Sequence, residues 1–540
     1  MNFKASFLPY AQTGYFSKIV LDYINRETEI LPFYQYPVSI EGLKASIQAR
    51  KKFATDRTLL VSVLQKQYSV VTTSTIVTNN IQLLQHENTF TICTAHQPNI
   101  FTGPLYFIYK ILHVVKLAEH LKISMPGNNF VPVYYMGSED ADLEELGHIY
   151  INGEKQEWVT DQTGAVGRMK VDKALVQLID RFSGQLTVYP FGEEVIALMK
   201  ACYRDGITVE QATFNLVNEL FAEYGVVVLL PDNAALKAAF ASVIEKELVS
   251  AFSHAAVQET VKKFPADYKV QASGRELNLF YLTEGQRGRI EMKTGDQMAT
   301  RWVVMDTDLE FTKDELMAEL KAHPERFSPN VILRPVYQEW ILPNIAFIGG
   351  GGEIAYWLQL KKVFESVGTS YPLLVLRNSF MLVEEEVRLL TDKLKLTYAG
   401  LFKAEPDIMN YLVRRDSLQQ VNLEQEQLEL TTFYEHLKGV AGKIDTTLQR
   451  HTEALQTQAL KKIATLEKKM LRAEKKKFEA QKRQLQRLRL QLFPGNNLQE
   501  RGDNMMTYYA KWGEGFIRML YDNSNALEME FGVLAEETIG

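Results

Sequence analysis

Between residue 90 and about residue 380 the apolar positions of the chain fall into short, nearly continuous runs separated by stretches with three-to-four-residue spacing. The runs are TFTICTA, FVPVYYMG (130–137), YGVVVLLPD (224–232), NVILRPV (330–336) and PLLVLR (372–377). Runs of this length without apolar–polar alternation read as strands buried on both faces, and their alternation with helical stretches predicts an α/β fold with a mainly parallel sheet. Residues 1–89 carry helical spacing with little Gly or Pro and read as a mostly helical N-terminal part. The segments 145–220 and 232–325 are too long for ordinary loops and predict insertions. One of these is a hairpin at HIYINGEKQEWVT, turning at Asn152-Gly153.

From about residue 420 the pattern changes to Leu, Lys, Glu, Gln and Arg with no proline until Pro494. Leu437, Val440, Ile444, Leu448, Leu455, Ile463, Leu466, Met470 and Ala473 keep three-four spacing with interruptions. That suits an antiparallel helical hairpin better than one unbroken zipper. Gly439, Gly442 and Asp445-Thr446 supply the break and the next N-cap. The seam, with the row Leu485, Leu488, Leu492, is too extended to leave in water, so a second copy of the chain is the expected cover and a homodimer the expected partner state. Within 461–490, twelve Lys and Arg face three Glu. This is a solvated helix face, or a docking surface for phosphate, nucleotide or the acidic core. The expected division is a helical N-terminal part at 1–89, a catalytic core at 90–385, a helical and coiled-coil domain at 386–495, and a helical segment at 496–540 packing back on the core.

Composition narrows the function classes. With 46% hydrophobic residues, 540 residues can bury a large core in several domains. No apolar run reaches the roughly 20 residues of a membrane helix, and the first residues lack the order of a signal peptide, so the cytoplasm is expected and a membrane is not. Two cysteines exclude a disulfide framework and leave any zinc site to His and carboxylates, so no zinc is predicted. A net charge of -6 speaks against a surface built for nucleic acid.

Three clusters carry candidate chemistry. In TAHQPNIFTGPLYFIYK, a strand, a turn and a helix succeed one another. His96 and Gln97 end the strand, where open α/β sheets bind ligands. Thr102 and Gly103 open the helix, whose N–H groups could meet a phosphate or simply be capped. Tyr106 and Lys110, at i and i+4, should share that pocket. The turn is similar to that of class I aminoacyl-tRNA synthetases, with Tyr106 and Tyr109 where two His would stand. His113, inside the helix, reads as structural. In GSEDADLEEL, Glu139, Asp140, Asp142, Glu144 and Glu145 exceed what a helix dipole needs. One could hold an ammonium group and another act as general base, or the group could bind magnesium. In SPNVILRPVYQEWILPNIAFIGGGGEIAYWLQL, glycines 349–352 let backbone approach a ligand and Glu353 comes next, without the Lys-Ser/Thr of a Walker A loop. Gly350, Gly351, Glu353 and Gln338 are therefore binding candidates. Arg334 and Arg377, each read as ending a strand, could grip carboxylates or phosphates bidentately. Tyr356 and Trp357 form a stacking wall or belong to the core.

Taken together, FTGPLYFIYK, FVPVYYMGSEDADLEELGHIY, GVVVLLPD, LRPVYQEWILPNIAFIGGGGEIAYWLQLKKVFE and the tail pairing of KKMLRAEKK with LFPGNNLQER resemble the cysteine-adding enzymes of bacillithiol biosynthesis, the cysteine ligase family. His96-Gln97 stands where other members often carry two Gln, and Asp140-Ala141-Asp142 where Asp-His-Asp is common. The resemblance implies a Rossmann-like core, a helical insert, a coiled coil used for dimerisation, and addition of L-cysteine to glucosaminyl-malate through an amide bond. It also implies activation of the cysteine carboxylate, most simply by ATP or another nucleotide. His96, Glu139, Asp140 and Asp142 are then the catalytic candidates. Two other readings stay open: a nucleotidyltransferase-like enzyme with another acidic acceptor, and a non-catalytic nucleotide-binding coiled-coil scaffold.

Overall fold

The computed structural model describes residues 2–272, 274–294 and 300–537. Its centre is a five-stranded sheet of β1 (Thr89–His96), β2 (Asn129–Met136), β3 (Val227–Leu229), β4 (Asn344–Gly349) and β5 (Leu373–Leu376). The order across the sheet is β5-β4-β1-β2-β3 and every pairing is parallel. β1 and β4 are buried along their whole length, which explains their unbroken apolar character. The polar positions within them are paired: Thr94 Oγ1 donates to the Ile348 carbonyl at 2.8 Å and Thr91 Oγ1 to Asn344 at 3.2 Å. The order makes a Rossmann-like sheet. Chain progression reverses between β1 and β4, so the crevice outside their carboxyl ends is the topological switch point where such sheets hold ligands.

Four helices carry candidate site residues or their partners: α1 (Tyr106–Ser124), α2 (Ala234–Ala239), α3 (Arg334–Ile341) and α4 (Gly351–Trp357). The run NVILRPV is not a strand. A short strand, Phe327–Pro329, ends before it, Asn330 accepts the Ile332 N–H at 2.9 Å in a turn, and Arg334 begins α3 with Pro335 in the first helical turn. Proline's fixed φ suits that position. The segment 145–220 holds the hairpin His148–Ile151/Glu154–Glu157, with Asn152 (φ 50°) and Gly153 (φ 81°) in the left-handed region that a tight two-residue turn requires. The segment 232–325 contributes most of an antiparallel second sheet, ordered Glu310–Phe311, Thr300–Val304, Gln286–Thr294, Leu279–Thr283, Phe327–Pro329.

Both ends depart from the helical reading. Phe3–Pro9 is a strand, antiparallel to Glu530–Glu536, which in turn runs parallel to Ser379–Val383. Helical spacing could not reveal a sheet whose strands come from opposite ends of the chain. The helices Glu424–Gly442 and Thr447–Lys475 form the hairpin, and Asp445 caps the second by accepting the Thr447 N–H at 2.7 Å. Along it Leu428, Phe433, Val440, Ile444, Leu455 and Leu466 remain exposed. Leu485, Leu488 and Leu492 do not extend that seam: they are buried, on the helix Glu479–Leu492, within the chain's own core. Among the described residues no helix is long and apolar enough to cross a membrane.

Candidate active site at the switch point

A cavity of about 330 Å³ opens at the carboxyl ends of β1 and β4. β1 delivers His96 and Gln97, and the first turns of α1 deliver Tyr106 and Lys110. The loop after β2 supplies Glu139, Asp140 and Glu145. The start of α3 supplies Arg334, the glycine turn after β4 supplies Gly350, Gly351 and Glu353, α4 supplies Tyr356, and Arg377 comes directly after β5. Most of the residues singled out in the sequence therefore meet in one place.

Of the catalytic and binding candidates, five do not line this cavity. Asp142 caps the short helix Leu143–Leu146 by accepting the Glu145 N–H at 3.0 Å. Thr102 is buried, and Gly103 borders a neighbouring cavity of about 270 Å³ that shares Tyr106, Glu145 and Arg501 with the first. Gln338 lies fully buried behind Arg334, and Trp357 stacks on Phe347 at 4.3 Å in the core. The N-terminus of α1 packs against the C-terminal segment. The Leu105 N–H donates to the Asp503 carbonyl at 2.9 Å, and Asn504 Nδ2 donates to the carbonyls of Phe101 and Gly103 at 2.9 and 2.7 Å. The C-terminal segment thus takes up one N–H and two carbonyls of the turn.

The charges are unevenly compensated. Lys110 pairs with Glu353 and donates to the Ala95 carbonyl at 3.0 Å. Burial lowers its pKa, and Glu353 works against that. Glu353 also accepts the Gly350 N–H at 2.8 Å, so it caps α4 and fixes the lysine together. Arg377 does not meet the cavity as a free fork: its two terminal nitrogens lie 2.9 and 2.7 Å from the Glu500 carboxylate, and its guanidinium stacks 5.2 Å from the Tyr106 ring centre. Arg334 differs. It donates to Gln338 at 3.1 Å and to the Tyr356 hydroxyl at 3.0 Å, over the Tyr135 ring, and among the described residues no carboxylate lies within ion-pair distance of it.

His96 is buried and its Nε2 has no hydrogen-bond partner. Burial, with Lys110 and Arg377 nearby, holds its pKa well below the usual imidazole range, so the ring is neutral at pH 7. Tyr106 packs edge-on against it at 5.3 Å, and burial pushes the Tyr106 hydroxyl up to about 12. Asp140 accepts from Gln97 Nε2 at 3.2 Å and from the Ala141 N–H at 2.8 Å. Among the described residues no cluster of three or more His, Cys, Asp or Glu could hold a metal ion.

Two cations of the cavity wall are not among the candidates from the sequence. Arg287, on the inserted sheet, stacks 3.8 Å from the Phe280 ring centre and reaches to 4.0 Å from Asp140. Arg501 comes from the C-terminal segment. Arg287 sits near no motif and Arg501 closes the run LFPGNNLQER, and tertiary packing brings both to the wall.

The family model for the N-terminal Rossmann-like domain of bacillithiol biosynthesis BshC matches residues 3–378, and that for its C-terminal coiled-coil domain matches residues 380–536. Three similar proteins carry the name "Putative cysteine ligase BshC". The one from Flavobacterium johnsoniae is 37% identical over 530 residues, covering 98% of this chain and 99% of its own. The one from Christiangramia forsetii is 37% identical over 535 residues, covering 98% of each. The third, from Cytophaga hutchinsonii, is 39% identical over 509 residues, covering 94% of each.

Proposed function

The chain belongs to the bacillithiol biosynthesis BshC family, and from that premise we propose that it is a ligase joining the carboxyl of L-cysteine to the amine of glucosaminyl-malate as an amide. The observation that carries this reading into the site is the presence in one cavity of an imidazole nitrogen without a partner, His96 Nε2, and a guanidinium without a carboxylate, Arg334. An acyl acceptor of this kind brings carboxylates and an ammonium group. Arg334 offers a planar fork for a carboxylate, and the acidic wall of Glu139 and Asp140 attracts the ammonium.

Attack on an acyl carbon needs the amine in its neutral form, and the attacking nitrogen must then lose a proton. His96 is the group to take it. Burial first, and then Lys110 and Arg377, suppress its basicity. A bound anion offsets those cations and raises its affinity for a proton, so the base is poised only when the acidic substrate is in place. Glu139 and Asp140 orient the amine, whereas Asp142 serves the fold.

A free carboxylate must be activated before it can form an amide, and ATP or another nucleotide is the cosubstrate this reading retains. The same reading includes a homodimer, supported by the exposed apolar row Leu428 to Leu466 on the hairpin.

The test is purified protein with glucosaminyl-malate, L-cysteine and ATP, read by mass spectrometry for the condensed product, with parallel reactions lacking each component. Product that needs both substrates is the expected result. Its absence under every cosubstrate tried, with both substrates shown to bind, would overturn the ligase reading.

A further inference from the structure

Arg334 owes its setting to a row of buried side chains that the proposed reaction does not touch. Gln338, one turn further along α3, has its Oε1 accepting from Arg334 Nη1 at 3.1 Å and its Nε2 donating to Glu339 Oε1 at 2.8 Å. The same Glu339 oxygen accepts from Asn344 Nδ2 at 2.7 Å. Asn344 opens β4 and accepts in turn from the Thr91 hydroxyl of β1 at 3.2 Å. Gln338, Glu339, Asn344 and Thr91 are all buried, so the row runs from the cavity wall through α3 into two strands of the central sheet. Arg50, also buried, ties Glu339 to the helix Ile40–Arg50 by donating to its main-chain carbonyl at 2.6 Å.

The sense of each bond follows from what the groups can do. Glu339 Oε1 accepts, so the end of the Gln338 amide that meets it must be the NH2, and the end that meets Arg334 must be the carbonyl. An amide without that acceptor could turn over and bring its own N–H groups against the guanidinium. Glu339 prevents the turn, and Asn344, itself held by Thr91, keeps Glu339 in place. The arrangement does not depend on ionisation: both donors reach Oε1, while Oε2 has no partner among the described residues and would carry any proton. A carboxylate at position 338 would also accept from Arg334, but it would neutralise the guanidinium and face Glu339 as a like charge. The amide orients Arg334 and leaves its charge to a ligand.

We propose that Gln338 and Glu339 are positioning residues for carboxylate binding: Glu339, acting through the Gln338 amide, sets the plane of the Arg334 guanidinium. The Tyr356 hydroxyl holds the other terminal nitrogen at 3.0 Å, so two fixed contacts define that plane and N–H groups are left over for a ligand. Glu339 touches no ligand itself. The inference rests on the reading that a substrate carboxylate docks on Arg334.

Calorimetric titration of the full-length chain with L-malate tests this in two backgrounds. Glu339→Leu takes the acceptor from the Gln338 amide and should weaken L-malate binding roughly 10- to 100-fold, the worth of one hydrogen bond to a charged group. Glu339→Gln keeps an acceptor oxygen at that point and should return the Kd to within about threefold of wild type. In an Arg334→Lys background, where a cation remains but has no plane to set, Glu339→Leu should change the Kd by less than about threefold. An equal loss in both backgrounds would mean that Glu339 acts on the fold at large, and overturns the inference. So does a loss in Glu339→Gln as great as in Glu339→Leu. A wild-type Kd in Glu339→Leu overturns it too, and leaves Arg334 as the carboxylate site. If Arg334→Lys binds L-malate as wild type does, no planar fork is in use and the inference falls; only the same result in Arg334→Ala removes the reading beneath it. Should Glu339→Leu fail to fold, Gln338→Met, which leaves Glu339 its Asn344 donor, decides the matter. A loss confined to the background that retains Arg334 supports the inference, and wild-type affinity overturns it.

Discussion

Removing the charge of Glu500 tests whether the C-terminal segment is held to the catalytic core by one buried ion pair. Arg377 and Glu500 meet through two contacts of 2.9 and 2.7 Å, with side-chain exposures of 4% and 0%, and the Ser379 hydroxyl donates to the same carboxylate at 3.3 Å. Glu500→Gln keeps the shape and leaves the guanidinium buried without its counter-charge, a loss of about 3–5 kcal/mol for pairs this enclosed. A chain with several packed parts does not unfold in one step, so the readout is local. Hydrogen exchange of amides in 376–383 and 498–505 should speed up by roughly 10²- to 10³-fold or somewhat more, with the coiled-coil hairpin unchanged. Replacing both partners by apolar residues, Arg377→Met with Glu500→Leu, should return exchange to within about tenfold of wild type, because a matched apolar pair avoids the desolvation cost. Less than tenfold acceleration in Glu500→Gln would refute the reasoning, as would an equal effect in the double variant.

The same geometry sets four further outcomes. Arg334→Ala should weaken binding of glucosaminyl-malate by about 2–5 kcal/mol, and Arg334→Lys should recover only part of it, as calorimetry would report; an unchanged Kd in both removes Arg334 from the site. The His96 imidazole, observed by ¹⁵N NMR, should titrate at higher pH with the dicarboxylate malate bound than without it, and no movement would contradict its coupling to Lys110 and Arg377. His113 accepts the Asn378 N–H at Nδ1 and faces the Ala526 carbonyl through Nε2, so burial keeps it neutral with a pKa of about 4 against 6.5 when unfolded. Its contribution of about 3 kcal/mol is complete above pH 6.5 and is lost as pH falls towards 4, and His113→Gln should flatten that part of a melting-temperature profile. Light scattering at micromolar concentration should give twice the 61.8 kDa chain mass, falling to one chain in Leu448→Glu/Leu455→Glu with helicity retained; a wild-type mass of one chain excludes the dimer.

Groups fixed by local context are legible in the sequence. His96 and Gln97 can be assigned to a strand end because β1 is apolar throughout, and Tyr106 with Lys110 is given by helical spacing. The glycine turn with Glu353 is visible for the same reason. Arg334 is recognisable but reads as part of the wrong element: Val331 to Val336 fits a strand as well as a helix start, and Asn330 with Pro335 decides for the helix. The identity of Arg377 is readable, yet its partner Glu500 is not, since nothing at position 377 encodes a contact with a distant helix. Arg287 stays hidden because an insertion delivers it, and Arg501, though it closes the run LFPGNNLQER, gives no sign in the sequence of the cavity it reaches. Leu485, Leu488 and Leu492 show the converse limit: spacing identifies an apolar face, and only packing decides whether the same chain or another copy covers it.

The capped terminus of α1 changes how an anion can be held in this cavity. Here Asp503 and Asn504 take up the turn's backbone groups, and Tyr106, fixed between His96 and Arg377, is a neutral ring up to a pH of about 12. Among the cavity's side chains, the cations differ in what they already hold. Lys110 and Arg377 have their carboxylates already and Arg287 lies 4.0 Å from Asp140, whereas among the described residues Arg334 and Arg501 have no carboxylate at ion-pair distance, and of these two Arg334 is the one braced in place. A planar guanidinium braced by a tyrosine hydroxyl and a glutamine, with an aromatic ring 5.4 Å beneath it, favours a flat carboxylate held by two prongs. This preference agrees with a malate-bearing acceptor, and it gives a direct comparison. If Arg334 selects the flat group, L-malate should protect the Arg334 segment from hydrogen exchange at lower concentration than inorganic phosphate does, and the reverse order would mean that the cavity is built for phosphate after all.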